Sequence, residues 1–164
     1  MAKVILICGK LCSGKTTYTQ ALLSREGGVL LSSDELMHAL YHHQEGPQHD
    51  ALARDVQVYL YKKAAQIARA GCLVVLDWGF WTREMRRKAS AYFEGQGVAY
   101  EWHYLDIADD AWRANIDSRN RAVREGRTTD YYVDEGLLQK MLSRFEPPSR
   151  EEMDVWRPCG QENG

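Results

Sequence analysis

Gly9-Lys10-Leu11-Cys12-Ser13-Gly14-Lys15-Thr16 carries two glycines, a lysine and a hydroxyl at the spacing G-x-x-x-x-G-K-[ST]. That pattern lets a chain wrap its backbone N–H groups around phosphate oxygens. The glycines permit positive φ, Lys15 puts a point charge where β- and γ-phosphates would lie, and Thr16 offers a hard oxygen to Mg²⁺. Thr17 extends the hydroxyl run. The flanks fit the same chemistry. Lys3-Val4-Ile5-Leu6-Ile7-Cys8 reads as a buried strand, and the residues from Thr16 onward read as a helix that opens on the phosphate. Strand, glycine loop and helix thus occur in the order a nucleoside-triphosphate site requires.

Two carboxylates follow. Asp34 comes directly after a second apolar run, Val29-Leu30-Leu31-Ser32, where it would lie at the carboxyl edge of a parallel sheet. There it can take the proton of an attacking hydroxyl, which is the reading preferred here. The competing role is helix capping, by Asp34 itself or by Ser33. Asp77 ends the run Leu73-Val74-Val75-Leu76 and suits a Mg²⁺ ligand, a contact to the acceptor, or a cap. Beyond it stand Trp78, Phe80 and Trp81, flat rings that can stack on an acceptor or pack the core. Arg83 follows closely and could meet an anionic acceptor. Arg113, Arg119, Arg121, Arg124 and Arg127 lie together further on. Arginines on a mobile segment neutralise transferring phosphate, and Arg119 and Arg121 are the candidates for that task.

Strands and helices must alternate to hold these groups at one edge. The strand-like runs are residues 3–8, 29–32, 72–76 and 98–105. The helical patterns start near 16, 33, 51 and 82, and the rest is mostly helical with a break at Gly126-Arg127-Thr128-Thr129. Residues 42–49 read as a polar loop, and the chain from Arg157 reads as a frayed tail because of Pro158, Gly160 and Gly164. This predicts an α/β fold with a parallel sheet covered on both faces, one domain over 1–156, a lid at about 115–130 and a flexible 157–164.

Composition agrees with one folded unit. The chain has 164 residues, 45% hydrophobic and 27% charged, with a net charge of -2. That balance excludes disorder and gives no basic field for gripping a long nucleic acid. No apolar run is long enough to span a bilayer, and the four cysteines form no C-x-x-C pair, so a cytoplasmic protein is expected. The histidines His38, His42, His43 and His49 lack an H-E-x-x-H pattern and an accompanying cysteine cluster, and read as a solvent-facing segment rather than a zinc site.

The loop GKLCSGKTT, the pair Ser33-Asp34, the strand LVVLD, the pair Arg119-Asn120 and the run Phe145-Glu146-Pro147-Pro148 resemble the small phosphate-loop kinases. That group contains the kinase domain of polynucleotide kinase, chloramphenicol phosphotransferase and the zeta toxins, and the likeness runs from Lys3 to about Pro148. The resemblance implies a P-loop NTPase fold with a five-stranded parallel sheet and an Arg-bearing lid, and implies ATP and Mg²⁺ as donor and cofactor. It further implies Gly9 to Thr17 as the nucleotide cradle with Arg119 and Arg121, Thr16 and Asp77 at the metal, Asp34 as base and Arg119 on the transferred phosphoryl. The residues offered to the acceptor are Asp34, Asp77, Trp78, Trp81 and Arg83.

One position departs from the family pattern. Polynucleotide kinases place an arginine three residues after the catalytic aspartate, and this chain has Met37 there. A small hydroxylated acceptor therefore fits better than a polynucleotide 5′-hydroxyl. Kinases of nucleic-acid ends or of nucleosides and their monophosphates remain as alternatives, as does a nucleotide-controlled binding module. The N-K-x-D signature of a GTPase is missing.

Overall fold

A computed structural model describes residues 2–41 and 47–160. The chain runs β1 (Val4–Cys8), α1 (Lys15–Glu26), β2 (Val29–Leu31), α2 (Ser33–Tyr41), α3 (His49–Arg69), β3 (Val74–Gly79), α4 (Arg83–Gly95), β4 (Tyr100–Ile107), α5 (Asp109–Arg124), α6 (Glu135–Arg144) and β5 (Val155–Cys159). The strands form a five-stranded sheet in the order β2-β3-β1-β4-β5, and every pair is parallel. Helices are needed to return the chain between parallel neighbours, which is why apolar strands and amphipathic helices alternate in the sequence.

The two-residue period of the strands divides the core into two layers. Val4, Leu6 and Cys8 of β1 and Val74 and Leu76 of β3 face Ala64, Ala65 and Ala68 of α3 and Ala89 and Phe93 of α4. Ile5, Ile7, Val75 and Leu105 face the other way, against Leu22 of α1. All five residues of β1 are buried, because that strand has helices on both sides. A third cluster joins Leu11 and Cys12 of the glycine loop to Trp112 and Ile116 of α5 and to Met141 of α6.

Two expectations change. The third strand extends past Asp77 to Gly79, so Asp77 and Trp78 lie within β3 instead of beyond it. Register supports this: Leu6 opposes Leu76 and Cys8 opposes Gly79, leaving one extra residue on β3. Such a bulge re-aims side chains near the strand end, here Asp77 and Trp78. The second correction concerns the tail. Arg157, Pro158 and Cys159 are paired with Leu105, Asp106 and Ile107 as part of β5. Proline lacks a donor, yet an edge strand tolerates it, and Trp156 anchors the strand by donating from Nε1 to Asp106 at 3.0 Å. The predicted loop over 42–49 falls partly outside the described residues, as do His42 and His43, whereas His49 opens α3. No helix among the described residues is long and apolar enough to cross a membrane.

Candidate active site

The glycine loop is held from three sides. β1 delivers it to the sheet edge, where Gly9 N donates to Gly79 O at 3.1 Å. Gly9 must be glycine for want of space: a Cβ there would sit 2.7 Å from Ser13 Oγ and 3.3 Å from Leu105 O. Helix α5 grips the outer side. Trp112 Nε1 donates to Leu11 O at 2.6 Å, and Asn115 Nδ2 donates to Cys12 O at 2.9 Å. Lys10 lies 4.7 Å from the Trp112 ring centroid and 3.6 Å from Asp109. Gly9 N and Ser13 N are engaged with Gly79 O and Lys10 O, so the phosphate-facing donors must come from the loop's other N–H groups. Cys12 takes φ +59 to make the curve, a left-handed conformation that costs a non-glycine residue about 1 kcal/mol. Trp112 and Asn115 carry no signature in the sequence; only the helix phase of α5 brings them against the loop.

Lys15 and Thr16 open α1, with the helix N-terminus directed at the loop. The Lys15 ammonium donates to Lys10 O at 2.6 Å and Gly9 O at 3.2 Å. Burial pulls its pKa from 10.5 down to about 8, with the carboxylates of Asp77 and Asp34 acting in the opposite direction. It remains protonated at neutral pH. Thr16 and Thr17 are exposed on the first turn.

Asp34 lies in the first turn of α2, exposed. The capping task falls to neither Asp34 nor Ser33: Glu35 N donates to Ser32 Oγ at 3.2 Å. The Asp34 carboxylate is thus free of that duty, and its charge is felt by Lys15, Asp77 and Tyr131. Asp77 is partly buried. Desolvation lifts its pKa from 3.8 to about 6, opposed by Lys15 and reinforced by Asp34. Two carboxylates and one ammonium therefore share a field beside the loop, which is the kind of coupled site where perturbed titration marks chemistry.

The aromatic run is first of all packing. Phe80 is completely buried, at φ +48, with its ring 4.9 Å from that of Trp102. Trp78 is half-buried, 5.4 Å from the Tyr61 ring of α3 and 5.1 Å from Phe80. Trp81 lies against the loop cluster of Leu11 and Cys12. Gly79, at φ +89, separates them, and a Cβ there would meet Trp81 Nε1 at 2.8 Å. Buried Arg86 fixes the turn, donating to Phe80 O at 3.1 Å and Glu146 O at 3.0 Å and pairing with Glu152 at 3.1 Å. Glu146 also accepts from Arg83 N at 2.7 Å and donates from its own N to Trp81 O at 2.8 Å. The Arg83 side chain is exposed and its charge acts on Glu152, which sets it with the 146–152 segment.

Among the arginines, Arg119 is turned inward. Its charge reaches Cys12 and Tyr131, and its Nε lies 3.8 Å from Asp130. Arg124 and Arg127 are engaged at the surface with Tyr132 and Glu125, and Arg121 is exposed. Buried Asn120 ties down the following loop by two hydrogen bonds with the Val133 backbone, at 2.8 and 2.7 Å. That loop carries Tyr131, whose phenol is pushed up to about 12 by burial and then by Asp34. Sequence reading missed Tyr131, because nothing in Thr129-Asp130-Tyr131-Tyr132 marks it. Sequence reading also missed a cleft of about 380 Å³ on the α5 side of the loop, lined by Thr17, Tyr18, Asn115, Arg157, Cys159 and Gly160 among others. It lies partly on β5, the strand read as a tail.

Thr16 and Asp77 offer two oxygens beside the loop, one of them a carboxylate ionised above about pH 6. Those donors, completed by phosphate and water, suit Mg²⁺. Among the described residues no three His, Cys, Asp or Glu side chains gather as a protein-only metal site.

No curated protein matches the chain in sequence. Solved structures match it in fold. A putative kinase from Chloroflexus aurantiacus superposes with a TM-score of 0.72 at 18% identity, over 95% of this chain and 86% of that one. A sugar kinase from Janibacter sp. gives 0.67 at 16% identity, over 99% and 88%. The APS kinase of Mycobacterium tuberculosis, solved with AMPPNP and APS, gives 0.65 at 19% identity, over 98% and 90%. At such identities the likeness establishes the P-loop kinase fold. The AAA domain model AAA_33 matches residues 4–148, from the first strand to the end of the Phe145-Glu146-Pro147-Pro148 run, and the chain belongs to that family.

Proposed function

We propose that this chain is an ATP-dependent phosphotransferase that moves the γ-phosphoryl of ATP to a hydroxyl of a small-molecule acceptor. The observation that carries the reading is the Asp34 carboxylate, released from capping by Ser32 and sharing one electrostatic field with Lys15 and Asp77. The structural neighbours named kinases support the donor side.

In this reading the loop from Gly9 to Thr17 holds the phosphates, and Lys15 neutralises the β- and γ-oxygens. The base and ribose occupy the cleft beside Tyr18, Asn115 and Arg157. Thr16 and Asp77 would hold Mg²⁺, which would supply positive charge against the phosphate oxygens. Asp34 accepts the proton of the acceptor hydroxyl as its oxygen bonds to the γ-phosphorus. The bond from that phosphorus to the bridging oxygen breaks, and ADP leaves with the electron pair. Arg119 exchanges its pairing with Asp130 for the transferring phosphoryl.

Met37 is buried with Val56 and Leu60, so the position three after Asp34 is spent on the core and offers no cation to an acceptor phosphate. Half-buried Trp78 packs against that cluster. This favours a hydroxyl compound with an apolar or ring portion over a polynucleotide end. The test is a screen of hydroxylated compounds and 5′-hydroxyl oligonucleotides read by ADP release, with Asp34→Asn alongside. The variant is expected to bind ATP as the wild type does and to lose turnover at least 100-fold. Wild-type turnover in Asp34→Asn defeats the assignment of the base.

A further inference from the structure

His103 is a buried titratable side chain with no part in the chemistry above. It lies on β4, 5% exposed, and both ring nitrogens are engaged. Nδ1 is 2.8 Å from the Tyr18 hydroxyl, and Nε2 is 3.3 Å from Glu101 Oε2. Glu101 in turn meets the Lys3 ammonium at 2.6 Å, and that hydrogen bond holds its carboxyl below the usual range. An ionised carboxylate only accepts. Nε2 must then carry the hydrogen, which leaves the Nδ1 lone pair facing Tyr18 and makes the phenol the donor. Tyr18 is the cleft end of this chain of contacts. It sits in the first turns of α1 beside Thr17, and the Arg157 guanidinium lies 5.6 Å from its ring centroid.

We propose that Lys3, Glu101 and His103 form a relay that fixes Tyr18 as one wall of the nucleotide cleft, so that His103 is a positioning residue for the donor. The inference rests on reading that cleft as the nucleotide site. A tyrosine on a helix surface has several rotamers; a hydrogen bond to a buried neutral ring, with an edge-on contact at 5.9 Å, selects one. Arg157 is then held over a fixed ring at the lip of the cleft. Ordering these groups before binding removes that cost from the binding step.

The groups facing His103 are Glu101 on its own strand, Lys3 ahead of β1, Tyr18 on α1 and Asp154 ahead of β5. Around Tyr18 stand Arg157, Arg25, Glu26 and Cys159. Burial lowers the imidazole below its ordinary 6.5, outweighing the attraction of Glu101, and the ring is neutral at physiological pH. Acid places a proton on Nδ1 and ends its role as acceptor.

Calorimetric titration of the full chain with a non-hydrolysable ATP analogue tests this without any acceptor. Tyr18→Phe removes the donor and keeps the ring; His103→Leu removes the acceptor. Each is expected to raise Kd about three- to tenfold, the worth of one hydrogen bond, and the double variant to be no worse than either single one. His103→Asn, whose side-chain oxygen can stand where Nδ1 stands, is expected to recover most of the affinity and to lose less of it on acidification than the wild type. A wild type that binds the analogue while Tyr18→Phe matches it, whatever happens to Tm, overturns the relay. A wild type that binds no analogue overturns the reading of the cleft itself.

Discussion

Asp77 and Lys15 each bear a charge that burial resists, the pattern expected of the proposed site. The Asp77 carboxyl is lifted to about 6 and the Lys15 ammonium lowered to about 8. The proposed transfer requires Asp77 ionised and Lys15 protonated. The profile of kcat/KM against pH is therefore expected to be bell-shaped, falling in acid through about 6 and in base through about 8, values that belong to the coupled pair. Stability runs the other way. Because the folded pKa of Asp77 exceeds its unfolded one, the ionised form costs stability above about pH 6, and the cost vanishes below 3.8. Asp77→Asn is expected to abolish turnover and yet to stabilise the fold by about 2 kcal/mol at neutral pH. Denaturant melts of both proteins should converge in acid. A second residue-scale prediction concerns Gly79. Its φ of +89 and the nearness of Trp81 Nε1 make Gly79→Ala costly by about 2 kcal/mol, measurable as a lowered midpoint in urea.

At the scale of elements, the site depends on segments that the chain brings together late. Arg86 of α4 ties the end of β3 to the 146–152 segment through Phe80 O, Glu146 O and Glu152. Removing a buried guanidinium leaves several acceptors unpaired, so Arg86→Met is expected to cost about 3 kcal/mol. Glu152→Gln keeps a hydrogen-bond acceptor and should cost less, about 1 kcal/mol. Equilibrium unfolding of the two variants gives both values, and a larger loss for Glu152→Gln would reverse the assigned hierarchy. Helix α5 plays the matching part on the other side of the loop. Trp112 and Asn115 hold the loop carbonyls outward, while Asn120 fastens the segment bearing Tyr131.

At the scale of the molecule, β5 closes both the sheet and the cleft. Its pairing with β4 runs to Cys159, and Arg157, Cys159 and Gly160 line the cleft proposed for the nucleotide. Ending the chain after Asp154 is expected to abolish binding of an ATP analogue and to expose the β4 edge to association with other chains. Calorimetry and light scattering would read the two effects separately.

The sequence by itself determined the local chemistry: the loop from Gly9 to Thr16, the strand that feeds it, the helix that opens on it, and two aspartates at strand ends. These are legible because each rests on neighbours in the chain, through period, glycine placement or spacing. Asp34 was legible as a candidate, but its freedom from capping was decided by Ser32, one bond of the folded α2 turn. The aromatic run was legible as rings and not as packing, since only the bulge in β3 sends Phe80 inward and leaves Trp78 and Trp81 half-buried. Arg83 and Arg119 looked alike as cations near the site, and the fold turned one toward Glu152 and the other toward Cys12. The Tyr18–His103–Glu101–Lys3 line and the β5 wall were invisible beforehand. The line alone spans 98 positions between Lys3 and Glu101, and the β5 wall brings Arg157 over Tyr18 from further still; only parallel pairing of strands distant in sequence puts such groups side by side.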